Sequence, residues 1–504
     1  MHRTILTLFI AGLAISANVS AQPTARSLIF AGDASPLGDV PGRPGLVFSE
    51  SASVASLAVS PDGGAWAALW TVFDGPDILS SIVSGDHNAI DYVWVQNDLF
   101  PGLGYTVDRR PDESISINNA GQFSATVVAL GGTTQDRQRI VRYNPGTGEY
   151  DELARGGGTI TGLGASIPGA EGERYPSAAF TSGTSLNDGR IAISARGTRS
   201  ILPSDQDELL LLTGVRPGDD VSLVVQAGVL VPSSQSGGAA DVLTDIDDEV
   251  YFTGDGSSSI LTGSLARGPG LTEVVVVDGQ AVYEVGLTIP GLTGTTVAQP
   301  NAQMFEGGNW LYFGSTNTGD SYLVANGQVA WKSGDAVPGG TPGETVTSIR
   351  GGSFNEAGDL LIDAVTSDNR FILLLSPVDG ASRTYLTDET PFDIDGDAIP
   401  DDAFFNGVTQ GTRFFLTENR DLFYIGRLKD AFEFNIADGL HFVDFQEQDC
   451  LADINGDGTL TPADFNAWVL AFNAQASGCD QNEDGLCDPG DFNAWVLNFN
   501  AGCG

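Results

Sequence analysis

The sequence predicts a mainly β protein, a seven-bladed β-propeller followed by a small all-α module. Three observations carry that prediction. A polar turn followed by alternating apolar residues recurs seven times between residues 27 and 445. Gly makes up 65 of the 504 residues, nearly double the usual share of roughly 7%. The last 55 residues hold a 27-residue repeat of acidic loop plus apolar-striped helix.

The turns read Pro61-Asp62-Gly63-Gly64, Asn118-Asn119-Ala120-Gly121, Asn187-Asp188-Gly189 and Asp247-Asp248 in the first four units. Gly307-Gly308, Asn355 to Gly358 and Asn419-Arg420 follow. Aligned at positions 64, 121, 189, 248, 308, 358 and 420, the units lie 50 to 68 residues apart. Asn-Gly and Asp-Gly turns between β-branched and aromatic runs are hairpin signals, and helical periodicity is absent. Some 60 residues hold one antiparallel sheet of roughly four strands, which cannot cover both of its faces alone. Stacking such sheets around an axis covers the faces and removes exposed edges. A pair of β-sandwiches is the competing arrangement, and it does not require seven equivalent turns. Phe432 to Phe445 reads as a last hairpin, expected to close the ring by pairing with Leu28-Ile29-Phe30. The propeller region is therefore set at 22–445 and the terminal module at 446–504.

Residues 1–21 read as a secretory signal peptide. Arg3 supplies the positive end, Ile5 to Ile15 the apolar run, and Val19-Ser20-Ala21 a small-residue cleavage site. That run is too short to span a bilayer, and no run of about 20 apolar residues follows. The expected location is secreted, extracellular or cell-surface associated, with no transmembrane segment in the mature chain. Lys plus Arg number 23 against 65 Asp plus Glu, a formal net charge of -42. This excludes nucleic acid as a partner, since phosphates need clustered basic side chains, and it excludes an anionic membrane surface.

The strongest chemistry lies in the C-terminal module. Residues 453–464 place Asp453, Asn455, Asp457 and Asp464 at loop positions 1, 3, 5 and 12, with Gly458 at 6. Residues 480–491 repeat this with Asp480, Asn482, Asp484, Asp491 and Gly485. Calcium takes six to eight hard oxygen ligands, and a 12-residue loop of this pattern wraps around the ion to supply them. Position 7 gives a backbone carbonyl, here from Thr459 or Leu486, and position 9 is Thr461 or Asp488. The departure from the usual EF-hand loop is Asp rather than Glu at position 12. One such loop also reads as an acidic turn without metal; two in tandem argue for Ca2+ at both. Each loop runs into a helix with one apolar stripe, Phe465, Trp468, Val469 and Phe472, then Phe492, Trp495, Val496 and Phe499. These stripes are expected to pack on each other.

A duplicated calcium loop plus helix resembles a dockerin, and the ending Ala501-Gly502-Cys503-Gly504 is similar to the GC-type dockerins of secreted bacterial proteins. The preceding region resembles a family of uncharacterised exported repeat proteins with Gly-x-x-x-Pro-Gly turns. The dockerin resemblance implies a cohesin-like partner, bound at loop positions 10 and 11, which are Pro462 and Ala463, and Pro489 and Gly490. The hydroxyl pair of cellulosomal dockerins is missing there, so another envelope or matrix receptor is the better expectation. All four cysteines lie in this module. In the EF-hand-like arrangement the residue before position 1 meets position 8, pairing Cys479 with Cys487. The twofold arrangement brings the module's ends together, pairing Cys450 with Cys503.

A third candidate calcium loop is Asp393, Asp395, Asp397 and Asp401, although Ala398 replaces the turn glycine and Phe404 the closing carboxylate. No catalytic residue is assigned. His87 and His441 are far from any second histidine at zinc-ligand spacing, and neither a Gly-x-Ser-x-Gly elbow nor a Walker-type loop occurs. Trp66, Trp94, Trp310 and Trp331 alternate within strands as core residues do. The expected function is an exported, non-enzymatic propeller anchored to the envelope or an extracellular assembly through a calcium-dependent dockerin, with a glycan among the candidate ligands. The alternative is a polysaccharide-active hydrolase or lyase tethered the same way. Two carboxylates about 5–10 Å apart in an aromatic-lined pocket would mark it.

Overall fold

The computed structural model describes residues 24–30, 39–49, 56–109, 115–130, 138–158, 160, 180–198, 206–232, 240–267, 270–298, 300–378, 380–394, 403–409, 414–432, 434–444, 452, 454, 461–474, 476, 479, 481 and 487–501. The signal-peptide reading of residues 1–21 lies outside them. The chain divides into two compact units, one spanning Thr24–Phe445 and one containing Gln446–Gly504.

The first unit is built of strands in a propeller arrangement of sheets. Its described residues form seven antiparallel sheets of four to six strands. A buried apolar cluster fills each junction between consecutive sheets. Leu69 and Ile82 of the first sheet pack with Phe123 and Val141 of the second, for example. Leu361 and Leu373 pack with Phe405 and Leu422 across the last junction. Trp66 and Trp70 pack with Phe423 and Leu440, bringing the first sheet against the last. Because each sheet is covered on both faces, its middle strands read as continuous apolar runs. Strand Trp66–Asp74 is buried along most of its length, as is Leu360–Thr366. A pair of β-sandwiches does not describe this arrangement. Trp66, Trp94 and Trp331 are core residues, as the alternation predicts.

The polar turns have one geometry. Each joins an innermost strand to the next strand outward, and its fourth residue donates a backbone bond of 2.8–3.2 Å to the carbonyl of its first. The fourth residues, Gly63, Gly121, Gly189, Gly256, Gly308, Gly358 and Arg420, have φ between 66° and 92°. Glycine adopts that region at no steric cost, which is why it recurs. Arg420 is the exception, and its Nε donates at 2.8 Å to Asp359 of the preceding sheet.

The fourth turn is displaced from its expected place. Asp247 and Asp248 lie inside strand Ala240–Phe252, and the turn is Thr253–Gly256. The strand slips register twice, between Leu243 and Asp245 and between Ile246 and Val250. Such bulges accommodate mid-strand acidic residues that read locally as a turn.

Neighbouring sheets also share polar bonds at repeated positions. Asn118 Nδ2 donates to the Leu186 carbonyl at 2.9 Å, and the equivalent Asn355 donates to the Thr417 carbonyl at 3.3 Å. Close approach of the fifth and sixth sheets rests on Gly352. A Cβ there would lie 2.8 Å from both Leu311 Cδ2 and Leu323 Cδ1. Gly352→Ala is expected to cost about 1–3 kcal/mol by overpacking, read as a lower denaturant midpoint at unchanged slope.

The last sheet holds both ends of the unit. Thr24–Phe30 pairs antiparallel with Asn435–Asp444, in the register Thr24↔Asp444 to Phe30↔Gly439. The expected partnership with Leu28-Ile29-Phe30 is present. On its other edge, Ser27 donates its backbone N–H to the Asp393 carbonyl at 3.1 Å, and Asp393 donates to the Ala25 carbonyl at 3.0 Å. This sheet therefore curls until its edges meet.

In the second unit, helices α1 (Pro462–Ala474) and α2 (Pro489–Ala501) are described. Both start on a proline, whose missing N–H costs nothing at that position.

Candidate functional site

Two regions bring chemistry-bearing residues together, one in each unit. In the first unit the innermost strands surround an axial cavity of about 100 Å³, partly open to solvent. Its lining includes Tyr251, Phe252, Phe305, Phe354 and Phe415, with Glu306 and Glu356 at the turns. Glu306, Glu356 and Glu418 occupy the second position of three consecutive turns, so the repeat itself converges them.

These glutamates are not independent. Glu306 reaches across to earlier turns and accepts from Asn187 Nδ2 at 2.7 Å. Burial raises its carboxyl above the usual range, against the Gly254 N–H and Asn187 bonds that favour its charged form. Glu356 and Glu418 hydrogen-bond to each other. Desolvation first, then the Glu418 bond and charge, and then the charges of Glu306 and Asp62 push Glu356 up to about 7. Two carboxyls in hydrogen-bond contact are closer than the roughly 5–10 Å that glycoside hydrolysis uses. Sequence reasoning missed this cluster. Aligning all seven turns on their fourth residue would have exposed the shared position.

His441 and Ser27 form the other pairing of catalytic residue types. Ser27 Oγ lies 2.9 Å from His441 Nδ1, and His441 Nε2 lies 3.1 Å from the Gly426 carbonyl. That ring is wholly buried in the last sheet, with Phe392 and Tyr424 around it. Burial and the backbone bond make it a fastening of the closing strands. His87 sits in an exposed turn.

The second unit has internal twofold character. Trp468 Nε1 donates to the Cys479 carbonyl at 3.2 Å, and Trp495 Nε1 donates to the Ala452 carbonyl at 3.3 Å. Each helix thus bonds the residue preceding the other repeat's loop. Trp468 and Trp495 stack at 6.3 Å between ring centroids, and Val469, Phe472, Val496 and Phe499 join them. The stripes pack on each other as expected, except that Phe465 and Phe492 stay partly exposed.

Both position-12 aspartates are completely buried. Asp464 Oδ2 accepts the Thr461 N–H at 2.8 Å, while Thr461 Oγ1 accepts the Ala463 N–H at 3.1 Å. Asp491 Oδ2 accepts the Asp488 N–H at 2.7 Å, while Asp488 Oδ1 accepts the Gly490 N–H at 2.6 Å. These are reciprocal capping boxes at both helix starts. Asp491 Oδ1 also accepts the Gln481 N–H at 2.8 Å. Positions 10 and 11, Pro462, Ala463, Pro489 and Gly490, are exposed. Cys479 and Cys487 are joined by a disulfide with Cα atoms 5.7 Å apart.

Several predicted ligands lie outside the described residues: Asp453, Asn455, Asp457, Thr459, Asp480, Asn482, Asp484 and Leu486, as well as the Cys450–Cys503 pair. Of the third candidate loop only Asp393 is described, buried and bound through its backbone to Ala25 and Ser27. Asp395, Asp397 and Asp401 lie outside. Among the described residues no group of three or more His, Cys, Asp or Glu side chains converges as a metal set. The chemistry of residues 446–504 nonetheless suits a hard cation. They carry ten acidic and no basic side chains.

The chain is thus a mainly β protein with a propeller arrangement of sheets and a short helical unit. No family model and no curated protein matches it. Among solved structures it is similar to AofleA from Arthrobotrys oligospora, at 11% identity over 71% of this chain and 92% of that one, with a TM-score of 0.31. Prolyl oligopeptidase B from Galerina marginata matches at 10% identity over 77% of this chain and 47% of its own, TM-score 0.36. Pyrococcus horikoshii acylaminoacyl peptidase matches at 10% over 78% and 54%, TM-score 0.37. The chain spans about half the length of these two peptidases.

Proposed function

We propose that this chain is an exported, non-enzymatic protein in which a seven-bladed β-propeller is held at the envelope or in an extracellular assembly by a dockerin-like module carrying two Ca2+ ions. The blade number is supported by the seven sheets with a buried cluster at each junction. The observation that carries the anchoring reading is the pair of buried, cap-forming aspartates in a segment without a basic side chain. Calcium, when bound by the two loops, would take its ligands from their oxygen side chains and backbone carbonyls. The residues that would hold it are Asp453, Asn455, Asp457, Thr459 and Asp464, and Asp480, Asn482, Asp484, Leu486, Asp488 and Asp491. The partner is a cohesin-like or other envelope or matrix receptor, met at Pro462, Ala463, Pro489 and Gly490.

The test is capture of envelope and secreted proteins of the producing cell by the full chain, with and without a calcium chelator. A partner retained only with calcium, and lost in Asp464→Ala with Asp491→Ala, is the expected result. Chelation should also remove the near-ultraviolet dichroism of Trp468 and Trp495, because loop folding and metal binding are one equilibrium. Signals indifferent to chelation would end the calcium reading. The alternative is a tethered polysaccharide-active enzyme; the Glu356–Glu418 pair, in hydrogen-bond contact, is too close to serve as its two carboxylates.

A further inference from the structure

We propose that the axial cavity of the propeller unit binds an alkylammonium group, carried by a free polyamine or by a lysine side chain of a partner protein. The cavity holds about 100 Å³, and its lining contains no Lys, Arg or His among the described residues. Phe305, Phe354 and Phe415 lie on its lining. Ring faces attract ammonium groups, and the attraction grows as the cation loses water in a concave site. Ser60, Ser116, Thr184 and Thr417 of four inner turns and strands lie on the same lining. Glu306 and Glu356 complete it with charge.

The surrounding electrostatics favour a cation over an anion or a neutral guest. Asp255 beside Glu306 is held at about 2 by the Thr253 hydroxyl and the Ser257 N–H, so it stays ionised. The whole chain at -42 draws cations toward the cavity, and low-dielectric walls focus that field. The groups facing Glu356 are Glu418, Glu306 and Asp62, all acidic. An ammonium arriving there favours the charged form of Glu356. Affinity therefore rises as the pH passes upward through neutrality, which adsorption to ionised surface carboxylates does not do.

The experiment is calorimetric titration of the full chain, in saturating calcium and at low ionic strength, with two probes. One is spermidine; the other is an end-blocked pentapeptide with a single central lysine. One saturable site per chain is expected, weakened about tenfold by Glu356→Gln with Glu418→Gln. Asp77→Asn with Asp91→Asn, which removes the same charge from exposed positions of the first sheet, should leave it unchanged. Phe354→Leu should weaken it severalfold and serves as the test if the glutamate variant does not fold. Tighter spermidine binding identifies a free polyamine as the source, and tighter peptide binding identifies a partner's lysine. Absence of a saturable site with both probes overturns the proposal. So does equal affinity in the glutamate variant, or equal weakening in the control.

Discussion

A chain lacking Thr24–Phe30 is expected to lose about 5–10 kcal/mol, a large part of the net stability of a folded domain. Ala25 and Ile29 are fully buried and Leu28 nearly so. The strand's removal strips the ladder from Asn435–Asp444 and exposes Leu440 and Phe442, which otherwise pack against Trp66 and Phe48 of the first sheet. Loss of the ladder also leaves backbone groups of the neighbouring strand without partners. The thermal transition should fall by more than ten degrees, with amide protection lost first in 422–444. A transition within two degrees of the intact chain would mean that the strand is an ornament on a ring stable without it.

The second large effect concerns His441. Burial lowers its imidazole to about 4 from the ordinary 6.5, against the favourable Gly426 carbonyl bond. Above pH 6.5 both folded and unfolded chains hold it neutral, and its contribution is fully present. As the pH falls below 6.5 the unfolded chain takes up a proton that the folded chain refuses. Stability is therefore lost between 6.5 and about 4, by about 3 kcal/mol in total. At pH 4.5 the loss from this residue is about 2.5 kcal/mol. His441→Gln removes that dependence, so the difference between the two chains in urea-unfolding free energy should shrink by this amount from pH 7.5 to 4.5. A difference that does not move with pH would show that the ring charges in place. At pH 7.5 the variant should be the less stable, because it disturbs the Ser27 bond and the packing against Phe392 and Tyr424.

The repeat was legible because turn chemistry is local. A residue with positive φ at the end of each turn leaves a Gly in six of the seven units, and a short window finds it. The closing pair of strands was legible from the apolar runs at both ends of the region. What failed was the fourth turn, where two bulges let Asp247 and Asp248 sit within a strand. A local window weighs two acidic residues as a turn, whereas a bulged strand carries them without ending the ladder. Glu306, Glu356 and Glu418 escaped for a different reason. They are 50 and 62 residues apart, and only the rotation between sheets makes them neighbours. In the second unit the helix stripes were readable from their i, i+3, i+4 spacing. The exchange of indole bonds, Trp468 to Cys479 and Trp495 to Ala452, was not, because it depends on how two helices cross.

The pairing of Thr24 with Asp444 sets a waiting time on synthesis. The two residues are 420 positions apart, and a ribosome adds roughly 5–20 residues per second. The first strand is therefore made between about 20 and 80 seconds before its partner exists. Throughout that interval Thr24–Phe30 carries unpaired backbone groups and the apolar side chains of Leu28, Ile29 and Phe30. Intermediate chains present a free strand at one end and an uncovered sheet face at the other, and two such chains satisfy each other as readily as one satisfies itself. Slow production in a dilute compartment, or a holding chaperone for the first thirty residues, would thus raise the yield of single closed rings over linked chains.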